Sequence, residues 1–302
     1  MIELALAVVC SVAIGMIFKH TGPTDIDRTA LLTVNYAAAV GVAALLIATG
    51  GREMEKGLGL SIELLVLGGG VGALLIAGFY LLSYATDVAG MSLAVGVTRV
   101  SVVIPFLASW LVWNEVPSLA QGGGMVLAAV AFFLIAQKHR PPQKDPGGLV
   151  SMQEGTPEMD WHAFGVLALT FCSGGAVDLS MKTFEEAFGA DNSRVLFLLL
   201  AFGAAFLIGA AIIVVRKIRG RRWPSGRAVG WGLLLGVVNY GSLEFILRAI
   251  ADLPGPFVFP ANNIAIMVLS AVVGVYLWNE RLSMPNRVGM ALAVLALVLL
   301  RL

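Results

Sequence analysis

Trp113-Asn114-Glu115 is followed, nine residues after its glutamate, by Gly124-Met125-Val126-Leu127-Ala128. Trp278-Asn279-Glu280 is followed at the same interval by Gly289-Met290-Ala291-Leu292-Ala293. The copies stand 165 residues apart, and the same offset lays Asp87-x-x-Gly90 on Asp252-x-x-Gly255. Upstream, Cys10-Ser11 with Lys19 is echoed by Cys172-Ser173 with Lys182. Both copies sit on apolar stretches of membrane length, so the chain reads as two diverged copies of one membrane unit. That organisation points to transport rather than to catalysis or reception.

Composition agrees. Of 302 residues, 58% are hydrophobic and 13% charged, against roughly 25% charged in a soluble domain. A mean hydropathy of +0.88 is too high to be confined to one soluble core, so the lipid bilayer is the expected surroundings. The net charge of +1 says nothing of partners, and no Lys/Arg-dense face points to nucleic acid. Cys10 and Cys172 both fall inside apolar segments, which argues against a disulfide or a zinc site, and no metal or cofactor is expected. Met1-Ile2-Glu3 lacks a basic leader, so the first apolar stretch reads as a span and not as a cleaved signal peptide.

Stretches of about 17–25 apolar residues number ten. They lie near 2–18, 29–48, 64–84, 91–112 and 118–137, then near 162–181, 194–215, 228–248, 257–278 and 284–302. The expected fold is therefore an all-α integral membrane protein of ten transmembrane helices. Residues 1–137 form a first five-helix repeat, the polar, Pro- and Gly-rich 138–160 a linker loop, and 161–302 a second repeat. An odd number of spans per unit inverts the second copy relative to the first, and inverted repeats serve alternating access. Thirteen of the 20 Lys and Arg residues fall in loops opposite the N-terminus and six on its own side. The positive-inside rule then places both termini away from the cytoplasm.

These parts resemble the drug/metabolite transporter superfamily, in particular its ten-helix members with paired EamA-type repeats. The resemblance rests on each half ending in a kinked span, a short polar turn containing Glu, and a last helix that starts at Gly. Here those parts are Val97–Glu115 with Gly124–Ile135, and Asn262–Glu280 with Gly289–Leu300. A lysine (Lys19, Lys182) also closes the first helix of each half, and nearly the whole chain is covered. The resemblance implies a multi-pass protein of the bacterial inner membrane that carries amino acids, other metabolites, sugars, nucleotide sugars or organic cations. It also implies cytoplasmic termini, against the count of loop charges.

Polar groups at membrane depth need a partner or a purpose. Arg99 lies inside the fourth span, and its counterpart in the second half is Ile264. It either lines a central cavity and holds a substrate carboxylate or phosphate, or bonds to Asp178, Glu244 or backbone carbonyls. Asp178 precedes Lys182, and Glu244 precedes Arg248, by one helical turn, so local ion pairs explain these charges as well as a site does. Glu244 shares its helix with Asn239 and Tyr240 in a polar stripe suited to a wet cavity. Either buried carboxylate is also a candidate proton carrier for coupling.

Asn35, Tyr36 and Tyr80 have the chemistry of a small-molecule pocket, whereas Tyr84 sits where interfacial tyrosines are common. Asn262 and Asn263 either contact a ligand or cap backbone groups that Pro260 leaves unpaired. Pro105 should kink the fourth helix and is a candidate gating point. The two Trp-Asn-Glu turns read as architecture, each Trp an interfacial anchor and each Glu facing the next helix N-terminus. Gly68-Gly69-Gly70-Val71-Gly72 reads as a face for close helix packing.

The reading that follows is a secondary transporter of small organic metabolites, with a cavity near the bilayer midplane. Arg99 combined with Asp178 and Glu244 suits an amino-acid-like zwitterion, with export as the lead direction. The alternatives are an exporter of drugs or quaternary-ammonium cations, which needs an accessible acid and an aromatic cage, and a membrane-embedded enzyme or lipid-handling scaffold. No nucleophile motif, phosphate-binding loop or His-rich metal set supports the enzyme; His20, His139 and His162 all lie in or beside loops.

Overall fold

The computed structural model describes residues 1–302 apart from 23, 25, 51–58, 90, 137–160, 221–223 and 280–282. The linker expected at 138–160, Gly90, Glu280 and His139 therefore lie outside the described residues. Within them, all regular structure is helical. The first half holds α1 (Ile2–Thr21), α2 (Arg28–Ala48), α3 (Ile62–Ala89), α4 (Met91–Val100), α5 (Val103–Leu111) and α6 (Leu119–Ala136). The second holds α7 (Trp161–Ala187), α8 (Arg194–Ile218), α9 (Gly226–Asp252), α10 (Gly255–Trp278) and α11 (Met284–Arg301).

Among the described residues, nine helices have the length and apolarity of membrane spans, with 94–111 taken as one across the α4–α5 break. The chain is thus built as an integral multi-pass membrane protein. The tenth expected span is α6, whose apolar part, Leu119–Ile135, is shorter by one residue than the 18-residue α11. Its outer face is as apolar as the rest of the perimeter, where Ile2, Leu45, Val126, Leu207 and Leu295 are all exposed.

Two expectations need correction. The third helix does not stop at residue 84 but continues to Ala89, so the turn expected at Ala85–Gly90 is largely helix. The fourth span is not one kinked helix but two, interrupted at Ser101 and Val102. Pro105 explains the break, because its ring would collide with the carbonyl of Ser101 and it has no N–H to give. That carbonyl accepts from the Ile104 amide instead, at 3.0 Å.

The repeated turns have a common geometry. Asn114 (φ 55°) and Asn279 (φ 51°) both adopt the left-handed conformation just past a helix end, a state Asn tolerates better than most residues. The helix after each turn then starts with a capping box. Ser118 pairs with Gln121 at the start of α6, and Ser283 with Asn286 at the start of α11. Each box satisfies two amides that would otherwise lack partners at the helix start.

The main packing pairs recur when the halves are exchanged. α6 packs on α11, α2 on α8 and α5 on α10; α1 packs on α9 as α7 does on α3; α2 packs on α9 as α8 does on α3. Glycines allow the closest of these approaches. A Cβ on Gly124 would meet the Leu300 side chain at 3.0 Å, and one on Gly289 the Ile135 side chain at 2.7 Å. Residues 135 and 300 are themselves 165 apart, so the two contacts are equivalent. Gly68 and Gly72 abut α8 through Leu200 and Ala201, and Gly232 and Gly236 abut α2 through Val34 and Asn35. The packing face expected at residues 68–72 is therefore in place, with a second copy on α9.

Alanine at Gly68 or Gly232, where the added Cβ would lie 2.7 Å from Leu200 or Val34, should destabilise the protein by about 1–3 kcal/mol through overpacking. Alanine at Gly122, with nothing within 4 Å, should be neutral or stabilising by up to about 1 kcal/mol. Denaturation in detergent micelles checks this, and equal effects at all three positions would remove the glycine faces from the account.

Candidate functional site

The polar residues at membrane depth form two sets. In the first, Arg99 near the end of α4 donates from Nη1 to Asn263 Oδ1 on α10, at 3.1 Å. The bond joins the two halves of the chain beside the α4–α5 break. Arg99 as a whole residue is half-buried. Asn263 also donates from Nδ2 to the carbonyl of Phe259 at 3.2 Å. That is not the carbonyl freed by Pro260, which belongs to Pro256, so Asn263 orients Arg99 rather than repairing the helix. Next to it, the Asn262 Oδ1 atom is buried without a hydrogen-bond partner.

Asp178 on α7 completes this set. It lies on a helix packed against α4, yet no ion pair within 4.0 Å joins it to Arg99. The local pair with Lys182 foreseen one turn away is not formed, because the Lys182 ammonium points to Glu115 and Glu186. Asp178 and Arg99 are therefore opposite charges on two packed helices, α7 and α4, without a direct bond between them.

The second set lies between α2, α8 and α9. Asn239 Nδ2 donates to Asn35 Oδ1 at 3.2 Å. Tyr36 and Tyr240, both buried, flank Phe202 at ring-centroid distances of 6.2 Å. Glu244 is 4% exposed and accepts from Arg248 Nη2 at 2.8 Å, the local pair foreseen from the sequence, and from the Tyr240 hydroxyl at 3.5 Å. The stripe foreseen on α9 thus turns inward, its tyrosine and glutamate bonded to each other. Tyr80, 39% exposed, shares a 3.2 Å hydrogen bond with Thr29, and Tyr84 lies 3.3 Å from His162.

A third group was not foreseen as a unit. Lys182, 1% exposed, donates to Glu115 Oε1 at 2.7 Å and to Glu186 Oε1 at 2.6 Å. The other Glu115 oxygen accepts from the Gly255 amide at 2.8 Å. Glu115 therefore caps α10 of the opposite half, not the next helix α6 as its position suggests. Lys182 also stands 5.9 Å from the Trp113 ring, and Lys19 stands 4.3 Å from the Trp278 ring. Each first-helix lysine thus meets the tryptophan of the other half. The signal was present in the repeat of Lys with Trp-Asn-Glu, but spacing alone cannot reveal that the partners exchange between copies. Among the described residues, no group of three or more His, Cys, Asp or Glu could hold a metal ion.

No family model matches the chain. A Haemophilus influenzae protein described as uncharacterized is 25% identical over 304 aligned residues, spanning 98% of this chain and 96% of its own length. A protein of known crystal structure superposes with a TM-score of 0.70 at 16% identity, covering 99% of this chain and 94% of its own. That likeness is one of fold.

Replacing Arg248 by Met should strand a buried carboxylate. The loss should fall below the ~3–5 kcal/mol of a fully buried pair, because the Arg248 side chain is 38% exposed. Adding Glu244→Gln should recover much of it. Melting of the two single variants and the double variant in detergent tests the coupling, and purely additive effects would show that the pair contributes nothing.

Proposed function

We propose that this chain is a secondary transporter of small organic metabolites, built from two inverted five-helix repeats and working by alternating access in a bacterial inner membrane. The reading includes membership of the drug/metabolite transporter superfamily with EamA-type repeats, on the strength of the motifs quoted above. The reciprocal packing of the halves supports the repeat: the same contacts recur when first-half helices are exchanged for second-half ones.

One observation carries the transport reading. A half-buried arginine on a broken helix is held by an amide from the other half, and the packed helix α7 carries an acid, Asp178. Charges at that depth are expensive and mark substrate paths, and interrupted helices at the repeat interface are the usual place for them. In this reading Arg99 takes the carboxylate of a zwitterion such as an amino acid, in bidentate fashion, and Asp178 faces its ammonium. Asn262 and Asn263 orient the substrate, and Pro105 lets α4 and α5 bend independently. Asn35, Tyr36, Tyr80, Asn239, Tyr240 and Glu244 border the path on the other side. A proton is the candidate coupling ion, with Asp178 its better carrier because Glu244 is held by Arg248. The protein is not an enzyme in this reading.

Uptake of labelled amino acids and organic cations into proteoliposomes, with and without a pH gradient, is the test. A zwitterion should be taken up, and Arg99→Ala should reduce uptake by at least about tenfold, the loss of roughly 1.4 kcal/mol of binding. Arg99→Lys, lacking the planar fork, should recover only part. Uptake of cations alone, indifferent to Arg99→Ala and abolished by Glu244→Gln, would establish the cation exporter instead.

A further inference from the structure

Glu115 is the point at which three separate parts of the bundle are joined by one carboxylate. It belongs to the turn between α5 and α6, its Oε1 atom receives the Lys182 ammonium of α7, and its Oε2 atom receives the first amide of α10. Counting spans from Met1, all three parts lie on the membrane face that carries the N-terminus. The helix ends fit together there without space to spare: Ser109 is fully buried, and any Cβ on Gly255 would collide with it. The Glu115 amide in turn donates to the Ser109 carbonyl at 3.0 Å. The turn, the end of α5 and the start of α10 are thus locked as a block.

The electrostatics make this block separable. Two carboxylates, Glu115 and Glu186, share one ammonium, leaving an excess negative charge. The α10 N-terminus supplies roughly half a positive charge and offsets part of it. A hydrophobic contact of this size would have no preferred partner in lipid, whereas both Glu115 oxygens have partners only while α7, α10 and the α5–α6 turn meet. With α10 moved away, Glu115 keeps Lys182 but loses the amide and the dipole. A contact of this kind has two discrete states, which suits a gate.

We propose that Glu115 and Lys182 form a charge latch that holds the terminus-side mouth of the bundle closed, and that its release frees the start of α10 to swing outward. Glu115 is a positioning residue here: it touches no substrate and acts through the placement of α10, which carries Asn262 and Asn263. The proposal rests on the transporter reading for its purpose, but its test does not require transport.

The experiment uses the full chain in lipid nanodiscs with Cys10 and Cys172 replaced by alanine. Spin labels are placed at two exposed positions on the same face, Ala190 in the α7–α8 turn and Asp252 at the end of α9. Pulsed electron-paramagnetic distance measurements should show mainly one short distance in the parent. Glu115→Ala and Lys182→Met should each raise the ratio of a longer distance to the short one by at least about tenfold. Glu115→Gln keeps an acceptor for the Gly255 amide but loses the charge, so it should fall between the parent and these two variants, and it also serves if the alanine variant does not fold. An unchanged short distance in folded Glu115→Gln and Lys182→Met protein overturns the latch. So does a parent already dominated by the long distance and unmoved by the variants. If the distances respond as expected but proteoliposomes take up no solute, the transporter reading fails and the latch stands.

Discussion

Inside hydrocarbon, helices gain nothing by hiding apolar side chains from water, since lipid tails are as apolar as leucine. What holds them together is close approach of backbones and the few polar bonds between them. The bundle shows both means. Gly68 and Gly72 on α3, and Gly232 and Gly236 on α9, let those helices lie directly on α8 and α2. Gly124 and Gly289 do the same for α6 and α11, reciprocally. These contacts join one half of the chain to the other, so neither half has a complete packing surface by itself. The glycine faces are thus the frame on which the polar sets are mounted.

The polar bonds then do what packing cannot, which is to choose partners. Ser11 and Ser242 meet at 2.8 Å between α1 and α9, Arg99 reaches Asn263 between α4 and α10, and Glu115 reaches Gly255 and Lys182. Each bond spans the two halves, and each would leave a polar group stranded in a dry interior if the helices slipped by a turn. Arg194, which donates through Nε and Nη2 to Glu185, closes the short connection from α7 to α8 in the same way. Register in this bundle is an electrostatic property as much as a steric one.

Much of the fold was legible because membrane spans write themselves into composition: the ten apolar stretches all became helical, with ends shifted by a few residues. The break in the fourth span was half legible. Pro105 announced a disturbance, but whether a proline bends a helix or divides it depends on what packs around it, and Gly174 and Gly175 of α7 press against Ser101 and Ile104 at that point. The site was less legible for a different reason. Acid and base one turn apart predict a local pair; Glu244 and Arg248 form one, and Asp178 and Lys182 do not. Lys182 had two other carboxylates within reach, one of them 67 residues away in sequence, and no local rule weighs a distant competitor against a near one. The same limit hid Glu115 on α10.

The matching of residues between the two halves fails at Arg99 and Pro105. Tyr36 and Phe202 face each other as near equivalents, the glycines match in pairs, and Asn114 and Asn279 share one conformation. Arg99, by contrast, has Ile264 as its counterpart, buried completely, and Pro105 has Ser270. A duplicated unit keeps residues whose task both copies share, namely packing, capping and turning. In the proposed transporter, a substrate lying between the halves is not itself two-fold symmetric, so residues that contact it would have no reason to match. Under that proposal, the unmatched residues mark the region where α4 breaks against α7 and α10 as the place where substrate would bind.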